Sequence, residues 1–282
     1  MNSAPLKKTV DFLLFGAVFI AICAVALSIE TNLLLGIPLN HPAVYIFIFG
    51  STILQYNLHY LFKKGIGLLS DRDTWSARNR ITQKILICLG AVLIAISVGW
   101  LESRHFVVMV VLALLASLYS LPLLPFKRRR LKEYGLLKIT LLSLEWTLVT
   151  VWFPADQYGI DPTSYWLVFV RRFIFMFVLC LSFDIRDMQS DFKAGIRTMP
   201  VRLGKNTAYK VADWGLILFT LLSIWQLTHS GNFIFFHAMV LSALVTKWMV
   251  EQTKKSDSEY LYLAGVDGMM LLQALLVAIG TI

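Results

Sequence analysis

The chain carries at residues 164–205 the stretch SYWLVFVRRFIFMFVLCLSFDIRDMQSDFKAGIRTMPVRLGK. Its first part, about 20 residues long, is apolar enough to cross a bilayer as one helix. Asp184, Asp187 and Asp191 follow directly, and positions i, i+3 and i+7 lie on one face of a helix. Because Mg²⁺ prefers carboxylate oxygens, this stretch predicts a metal site where a membrane-spanning helix ends.

The composition of the whole chain is that of a membrane protein. Of its 282 residues, 57% are hydrophobic and only 15% are charged, and the mean hydropathy is +0.69. Soluble domains carry about 25% charged residues, so a soluble globular protein is excluded. The polar stretches between the apolar segments are too short to fold alone, and we therefore expect a single polytopic membrane domain over residues 1–282.

Nine apolar segments have the length of a membrane span. They lie at about residues 10–29, 43–62, 83–101, 105–124, 135–154, 164–183, 211–228, 233–250 and 260–281. Backbone groups in lipid must bond within the protein, and these segments lack the alternation of a transmembrane barrel. We expect an all-α integral membrane protein with nine transmembrane helices. The first segment follows Lys7 and Lys8 as a secretory signal would, but its length favours an uncleaved helix.

The loop charges predict how the helices are oriented. Cytoplasmic loops carry the excess of Lys and Arg, and here every second connection is basic. This pattern puts the N-terminus in the cytoplasm and the C-terminus outside, with Arg104 as the one basic residue in an outer loop, and we expect a bacterial inner membrane. The connections at about 63–82 and 184–210 are cytoplasmic and long enough to be functional.

The net charge of +9 does not indicate a nucleic-acid-binding protein. The basic residues lie between the apolar segments rather than on one soluble face, which fits topology, anionic substrates and membrane lipids. Cys23, Cys88 and Cys180 all lie inside apolar segments and lack metal-ligand spacing. We expect them to be small core residues and not disulfides.

A group of cations follows the three aspartates. Lys193, Arg197 and Arg202 could hold a diphosphate whose hydrocarbon tail enters the helical bundle. Mg²⁺ bound to the aspartates would neutralise the departing diphosphate. The spacing alone leaves a second interpretation open, in which these are solvated interfacial charges that pair with one another.

The string DIRDMQSDFKAGIRTMPVRLG at residues 184–204 closely resembles the second aspartate-rich motif of the UbiA superfamily of intramembrane prenyltransferases. In that motif a D-x-x-D-x-x-x-D run leads into K-x-G-x-x-T-x-P-x-x-x-G. The matching positions after the aspartates are Lys193, Gly195, Thr198, Pro200 and Gly204. Residues 119–128, YSLPLLPFKR, resemble a second signature of the family, a Tyr-Ser-x-Pro turn followed by basic residues that here include Lys127.

The resemblance implies a specific chemistry. A polyprenyl diphosphate would be ionised with Mg²⁺, and the carbocation would be captured inside the bundle by a lipophilic aromatic or quinone-precursor acceptor. The catalytic metal ligands implied are Asp184, Asp187 and Asp191. The substrate-binding residues implied are Asn57, Lys127, Lys193, Arg197 and Arg202.

The first half of the chain departs from the family pattern. The first motif, N-x-x-x-D-x-x-x-D, corresponds here to Asn57, Leu61 and Gly65, so both acids are missing. Asp71 and Asp73 could return to the site through a folded loop. Otherwise Lys63, Lys64 and the loop arginines hold the diphosphate instead, the metal site is one-sided, or the chain is a relative that binds a lipid diphosphate or a membrane partner without transferring prenyl groups.

Charged residues also occur inside the predicted spans. Arg171 and Arg172 lie within one span, and the similar depth of Glu145 predicts a structural ion pair with Arg172. Asp267 in the last span either orients the acceptor or joins helices. His59 ends a predicted helix and is expected to be a satisfied interfacial residue.

Overall fold

A computed structural model describes residues 3–62, 70–120, 135–155 and 159–281 of the chain. Within these ranges the protein is helical and contains no strand, which confirms the all-α prediction. The helices are α1 (Ser3–Phe15), α2 (Val18–Leu35), α3 (Pro42–Phe62), α4 (Asp71–Arg78), α5 (Arg80–Val98), α6 (Ser103–Ser120), α7 (Gly135–Thr147), α8 (Phe153–Ala155), α9 (Pro162–Arg186), α10 (Met188–Lys193), α11 (Met199–Leu203), α12 (Lys205–Ser230), α13 (Phe233–Thr253) and α14 (Gly268–Ile279). Leu148–Trp152, after α7, and Leu261–Val266, before α14, are π-helical.

Seven helical segments among the described residues are long and apolar enough to cross a membrane. They are Val18–Leu35, Arg80–Val98, Gly135–Ala155, Pro162–Arg186, Lys205–Ser230, Phe233–Thr253 and Leu261–Ile279. All seven coincide with predicted spans. The other two predicted spans fall on α3 and α6, which are helical but are not among the seven, so the count of nine stays a prediction.

The first predicted span is wrong in one respect, since a break divides it. Ala17 adopts a left-handed conformation with φ 64°, which is unfavourable for a residue with a Cβ, and the break separates α1 from α2. The Asn57 side-chain amide donates to the Gly16 carbonyl at 3.0 Å and so satisfies a backbone group at this break. The amino-terminal helix is therefore a separate element.

α1 contacts two other parts of the chain. The Phe15 ring lies 6.1 Å from the Trp75 ring of α4 and 5.5 Å from the Tyr260 ring, measured between centroids. The Tyr260 hydroxyl donates to an Asp11 carboxylate oxygen at 2.5 Å. Burial, reinforced by Asp11, raises the pKa of Tyr260 to about 12, so the phenol stays protonated and keeps this bond.

The core of the bundle forms around α2. Cys23, Ala24 and Leu27 are fully buried, and the small side chains let neighbouring helices approach closely. Cys23 and Cys180 are free and buried as predicted, whereas Cys88 is free but exposed.

The predicted pair between Glu145 and Arg172 is wrong. Arg172 instead lies 2.9 Å from Glu30 of α2, with both side chains almost completely buried. The Glu145 carboxylate accepts a hydrogen bond from Gln55 at 2.7 Å. Depth along two helices could not identify the partner, because Glu30 lies just outside the apolar run that was assigned to the first span.

α9 is the helix that carries the aspartates to one end of the bundle. Its N-cap is Asp161, which accepts from the Ser164 backbone N–H at 2.7 Å and lies 2.7 Å from His229 at the end of α12. At its other end, the helix stops at Arg186, and α10 begins at Met188. The aspartate run is thus split at Asp187 between two helices.

Candidate active site

A cavity of about 410 Å³ opens where α9 ends. Its walls come from α3, α4, α7, α9, α10 and the segment before α14. Its polar mouth includes Arg72, Asp73, Lys138, Asp184, Arg186, Asp187, Ser190, Asp191 and Glu259. The residues that precede Asp184 along α9, such as Met176 and Leu179, continue the lining toward the membrane interior together with Leu142, Trp146 and Met270. The cavity therefore joins a charged mouth to a largely apolar floor, and the buried Asp267 also lines the cavity.

Lys138 connects two of the three predicted metal ligands. Its Nζ atom lies 2.8 Å from Asp184 Oδ1 and 3.1 Å from Asp191 Oδ2. The other oxygen of Asp184, Oδ2, is buried and has no hydrogen-bond partner within the described chain. Asp184 thus presents an acceptor that the structure leaves unused.

Asp187 is held separately. Its two carboxylate oxygens face Arg186 Nε at 2.8 Å and Arg186 Nη2 at 3.3 Å. The Arg186 guanidinium also lies 5.0 Å from the ring centroids of both Phe183 and Tyr262. All three aspartates line the cavity, but they divide into two groups with different cations.

Burial dominates the electrostatics of Asp191. Loss of solvent raises the pKa of this carboxyl above its usual value, and the Lys138 ammonium opposes that effect while Asp187 adds to it. The charged form of Asp191 therefore depends on a nearby cation.

Gly135 explains how Lys138 reaches the aspartates. A Cβ at Gly135 would lie 2.0 Å from the Arg197 carbonyl oxygen, so only glycine allows this close approach of two backbones. The first residue of α7 packs there against the segment between α10 and α11. Lys138, one turn later, then faces the acids.

α4 forms the wall opposite the aspartates. Ser70 and Asp73 form a capping box at its start, and both line the cavity. One of the open alternatives placed both Asp71 and Asp73 at the site. Asp73 lines the cavity, whereas Asp71 is not part of the lining that the described residues form.

Arg72 is the buried cation of this wall. Its guanidinium lies over the Tyr60 ring at 4.1 Å and near the Tyr56 ring at 5.5 Å, and its backbone N–H donates to Glu259 at 2.6 Å. Its Nε and Nη2 atoms are buried without a hydrogen-bond partner among the described residues. Within the described part of the chain, this donor pair has no acceptor.

Four of the five predicted substrate-binding residues lie outside the described cavity wall. Asn57 is buried and donates to Gly16 and Ile53 carbonyls, and it is not part of the described cavity wall. Lys193, Arg197 and Arg202 are exposed and also lie outside that wall. Lys127 falls outside the described residues, as do Lys63, Lys64 and Gly65.

Lys138, Arg72 and Arg186 line the cavity. Sequence reasoning missed Lys138 and Arg186 as substrate-binding cations and considered Arg72 only as one of the loop arginines in an open alternative. His59, set aside as interfacial, also lines the cavity. Lys138 stands as a single charge near the start of an apolar segment, which could have marked it as a functional candidate. Local sequence could not single out Arg72 among the loop arginines, because its backbone N–H is bonded to Glu259, 187 residues away along the chain.

The acids that line the cavity mouth bear on the metal that the sequence predicts, which is Mg²⁺. Among the described residues, no three His, Cys, Asp or Glu side chains form a group that could hold a metal ion. Mg²⁺ is commonly bound by only one or two carboxylates, with substrate phosphates and waters completing its shell. Asp184, which has an unpartnered oxygen, and Asp191 fit such an ion.

A model of the UbiA prenyltransferase family matches residues 66–264, which is more than half of the chain. The chain belongs to the UbiA prenyltransferase family. This membership confirms the predicted resemblance and, with the apolar helices, makes the protein an integral membrane protein. No curated protein matches the sequence.

Solved structures share the UbiA fold with this chain. A UbiA homolog from Archaeoglobus fulgidus bound to Cd²⁺ is 13% identical with a TM-score of 0.67, and the alignment covers 96% of this chain and 97% of that one. The same homolog bound to GPP and Mg²⁺ is 12% identical, with a TM-score of 0.65 and coverage of 96% and 98%. A digeranylgeranylglyceryl phosphate synthase is 13% identical, with a TM-score of 0.60 and coverage of 97% and 98%.

Proposed function

We propose that this UbiA-family protein is a Mg²⁺-dependent prenyltransferase that moves a prenyl group from a polyprenyl diphosphate to a lipophilic aromatic or quinone-precursor acceptor within the membrane. The observation that carries the proposal is the convergence of Asp184, Asp187 and Asp191 with Lys138 and Arg72 at the mouth of an apolar cavity. The A. fulgidus homolog bound to GPP and Mg²⁺ supports this substrate and metal.

The charged mouth suits the diphosphate. Arg72 offers two buried N–H groups without partners in the described chain, and a guanidinium can hold two phosphate oxygens at once. Lys138 and Arg186 add positive charge on the opposite side. Fixed cations stabilise the negative charge that develops on a leaving diphosphate.

Asp184 and Asp191, with Asp187 beside them, are the residues proposed to hold the metal. When bound, Mg²⁺ would neutralise negative charge on the diphosphate oxygens. Asp73 lines the opposite wall of the cavity and is proposed to replace in part the acids that the first motif lacks. The fold contributes by fixing the positions of these carboxylates where α9 ends.

The floor suits the prenyl chain and the reacting carbon. Met176, Leu179 and Trp146 line it with apolar surface, and Tyr56 and Phe183 present aromatic rings near the mouth. Aromatic faces attract cations, and an apolar lining keeps out the water that would hydrolyse a reactive intermediate. A carbocation formed there meets the acceptor before it meets solvent.

The exposed cations take a different role in this proposal. Lys193, Arg197 and Arg202 attract anionic substrates and lipids at the membrane surface instead of touching the bound diphosphate. Asn57 supports the site by holding the break between α1 and α2. Lys127 is proposed to bind substrate as the family motif implies.

The setting follows the charge pattern. The chain is proposed to be a single polytopic domain of a bacterial inner membrane, with nine spans, a cytoplasmic N-terminus and an outside C-terminus. In this orientation the connections at about 63–82 and 184–210 lie over the site on the cytoplasmic side.

The test is prenyl transfer by purified protein in lipid vesicles. The vesicles receive prenyl diphosphates of several chain lengths, Mg²⁺ and a lipid extract as the acceptor source, and prenylated products and released diphosphate are measured by mass spectrometry. We expect Asp184→Asn and Asp191→Asn to remove product formation, whereas the exposed control Asp257→Asn retains it. Equal product from Asp184→Asn and the unchanged protein would contradict the proposal.

A second function is favoured by Leu61 and Gly65, which stand where the family's first motif carries acids. In that case the protein binds a lipid diphosphate, or supports a membrane partner, without transfer. The same vesicles distinguish the two functions, because this one predicts saturable diphosphate binding and no product with any acceptor.

A further inference from the structure

A cation, Lys138, lies between two of the proposed metal ligands. Its Nζ atom contacts Asp184 Oδ1 at 2.8 Å and Asp191 Oδ2 at 3.1 Å. Its side chain is only 18% exposed, and those of Asp184 and Asp191 are 5% and 11% exposed. The Lys138 ammonium therefore lies between two carboxylates with little exposure to solvent.

A metal-free chain needs a cation at this position. Asp184 and Asp191 carry like charges in surroundings where water screens them poorly, and such a pair is unfavourable unless a positive charge lies nearby. Asp187 already has Arg186 as its partner. Lys138 provides the charge for the other two acids.

A divalent ion held by Asp184 and Asp191 would lie close to the Lys138 ammonium, because Lys138 contacts one oxygen of each carboxylate. The two cations would repel each other strongly in a place where water screens charge poorly. We infer that Lys138 is a resident cation that competes with the divalent metal for Asp184 and Asp191 and moves to the diphosphate when the metal binds. This inference rests on the proposed function, in which these acids hold the metal.

The chemistry of lysine permits such an exchange. Its ammonium is a compact charge on a flexible four-carbon stem, so a small rotation changes its partner. Lys138 and the proposed diphosphate donors Arg72 and Arg186 line one cavity. The exchange would leave the site weak for metal alone and stronger for metal together with a diphosphate. It also fits the lack of a three-ligand group among the described acids and histidines.

The experiment measures metal binding, not turnover. Purified protein in detergent is titrated with Mn²⁺, and free Mn²⁺ is followed by electron paramagnetic resonance. A nearby charge changes the proton affinity of a carboxylate by about ten- to a thousandfold. We therefore expect Lys138→Met to bind Mn²⁺ at least about tenfold more tightly than the unchanged protein. Lys84→Met, at an exposed position outside the cavity, is the matched control and should leave the affinity unchanged.

A second titration includes a non-hydrolysable prenyl diphosphate analogue. The analogue should tighten Mn²⁺ binding in the unchanged protein, and by a smaller factor in Lys138→Met, where no ammonium is released to the phosphate. Lys138→Gln, which keeps a hydrogen-bond donor, is measured in the same way if Lys138→Met does not fold. Equal Mn²⁺ affinity in Lys138→Met, Lys84→Met and the unchanged protein would overturn the inference.

The proposed function can fail independently of this result. A protein that forms no prenylated product, yet binds Mn²⁺ more tightly after Lys138→Met, would retain the competing lysine and lose the transferase proposal. A protein that transfers prenyl groups, yet shows no change of metal affinity in Lys138→Met, would give the opposite outcome.

Discussion

The Arg172 guanidinium and the Glu30 carboxylate form an ion pair at 2.9 Å with side chains that are 1% and 0% exposed. Gln273 donates to the other Glu30 oxygen at 3.1 Å, so the carboxylate is bonded on both sides. The pair joins α9, which carries the aspartates, to α2 at the centre of the bundle. Removing one member would leave a charge without its partner far from water.

We expect Arg172→Met to lower the free energy of unfolding by about 3–5 kcal/mol, the usual cost of breaking a buried ion pair on one side. Denaturant unfolding in detergent measures the change. The double substitution Glu30→Gln with Arg172→Met removes both charges and should recover part of the loss. A double variant as unstable as the sum of its single variants would contradict this account.

Arg72 provides a prediction for the substrate. Arg72→Gln removes a guanidinium whose Nε and Nη2 lack partners in the described chain, and hydrogen bonds to charged groups are worth about 1.5–3 kcal/mol. The dissociation constant for a prenyl diphosphate analogue should rise about 10- to 100-fold. Isothermal titration calorimetry measures it. Arg78→Gln, at an exposed position in the last turn of the same helix, should bind as the unchanged protein does.

Substitution of Asn57 distinguishes a role in stabilising the fold from a role in binding the substrate. Its amide donates to the Gly16 and Ile53 carbonyls at 3.0 and 2.9 Å. Asn57→Ala should therefore lower the free energy of unfolding by about 1–3 kcal/mol through the unsatisfied Gly16 carbonyl, with KM for the diphosphate unchanged. Asn206→Ala, at an exposed position, is the control. A raised KM with an unchanged free energy of unfolding would indicate instead that Asn57 binds the substrate.

Gly135 tests how Lys138 is positioned. In Gly135→Ala the new Cβ would overlap the Arg197 carbonyl oxygen, so α7 must shift and move Lys138 from the acids. Overpacking of this kind costs about 1–3 kcal/mol of folding free energy. Thermal unfolding and Mn²⁺ affinity measure both effects. Gly99→Ala, where a Cβ meets nothing within 4 Å, should change neither one.

Asp161 gives a pH dependence. Hydrogen bonding from the Ser164 backbone N–H, together with His229, lowers the pKa of Asp161 from 3.8 to about 2. A folded-state pKa below the unfolded one contributes stability above about pH 4, which is lost as the pH falls toward 2. The unfolding temperatures of the unchanged protein and Asp161→Ala should therefore differ at pH 7 and converge near pH 2. A difference that grows at low pH would contradict the assignment.

The helices and the acidic trio follow from local sequence. Hydrophobic length predicts a span whatever surrounds it, and Asp184, Asp187 and Asp191 line one cavity because they are close along the chain. The family resemblance was found for the same reason, since its motif is one continuous stretch. Such features need no knowledge of how distant helices pack.

The partners of those acids do not follow from local sequence. Lys138 is 46 residues before Asp184, and its contact depends on the packing of Gly135 against Arg197. Glu30 and Arg172 are 142 residues apart. Lys193 and Arg202 are exposed and lie outside the cavity wall, although Ala194 and Ile196, close to them along the chain, line it. Closeness to the motif along the sequence therefore does not identify the cations that line the cavity.

The break at Ala17 has a consequence for how the cavity is built. Because α1 does not continue into α2, it touches α4 through Trp75 and the segment before α14 through Tyr260, and both of these segments border the site. α1 thus links two walls of the cavity that are about 185 residues apart along the chain. Its contacts position these two walls relative to each other, although no chemistry is assigned to α1.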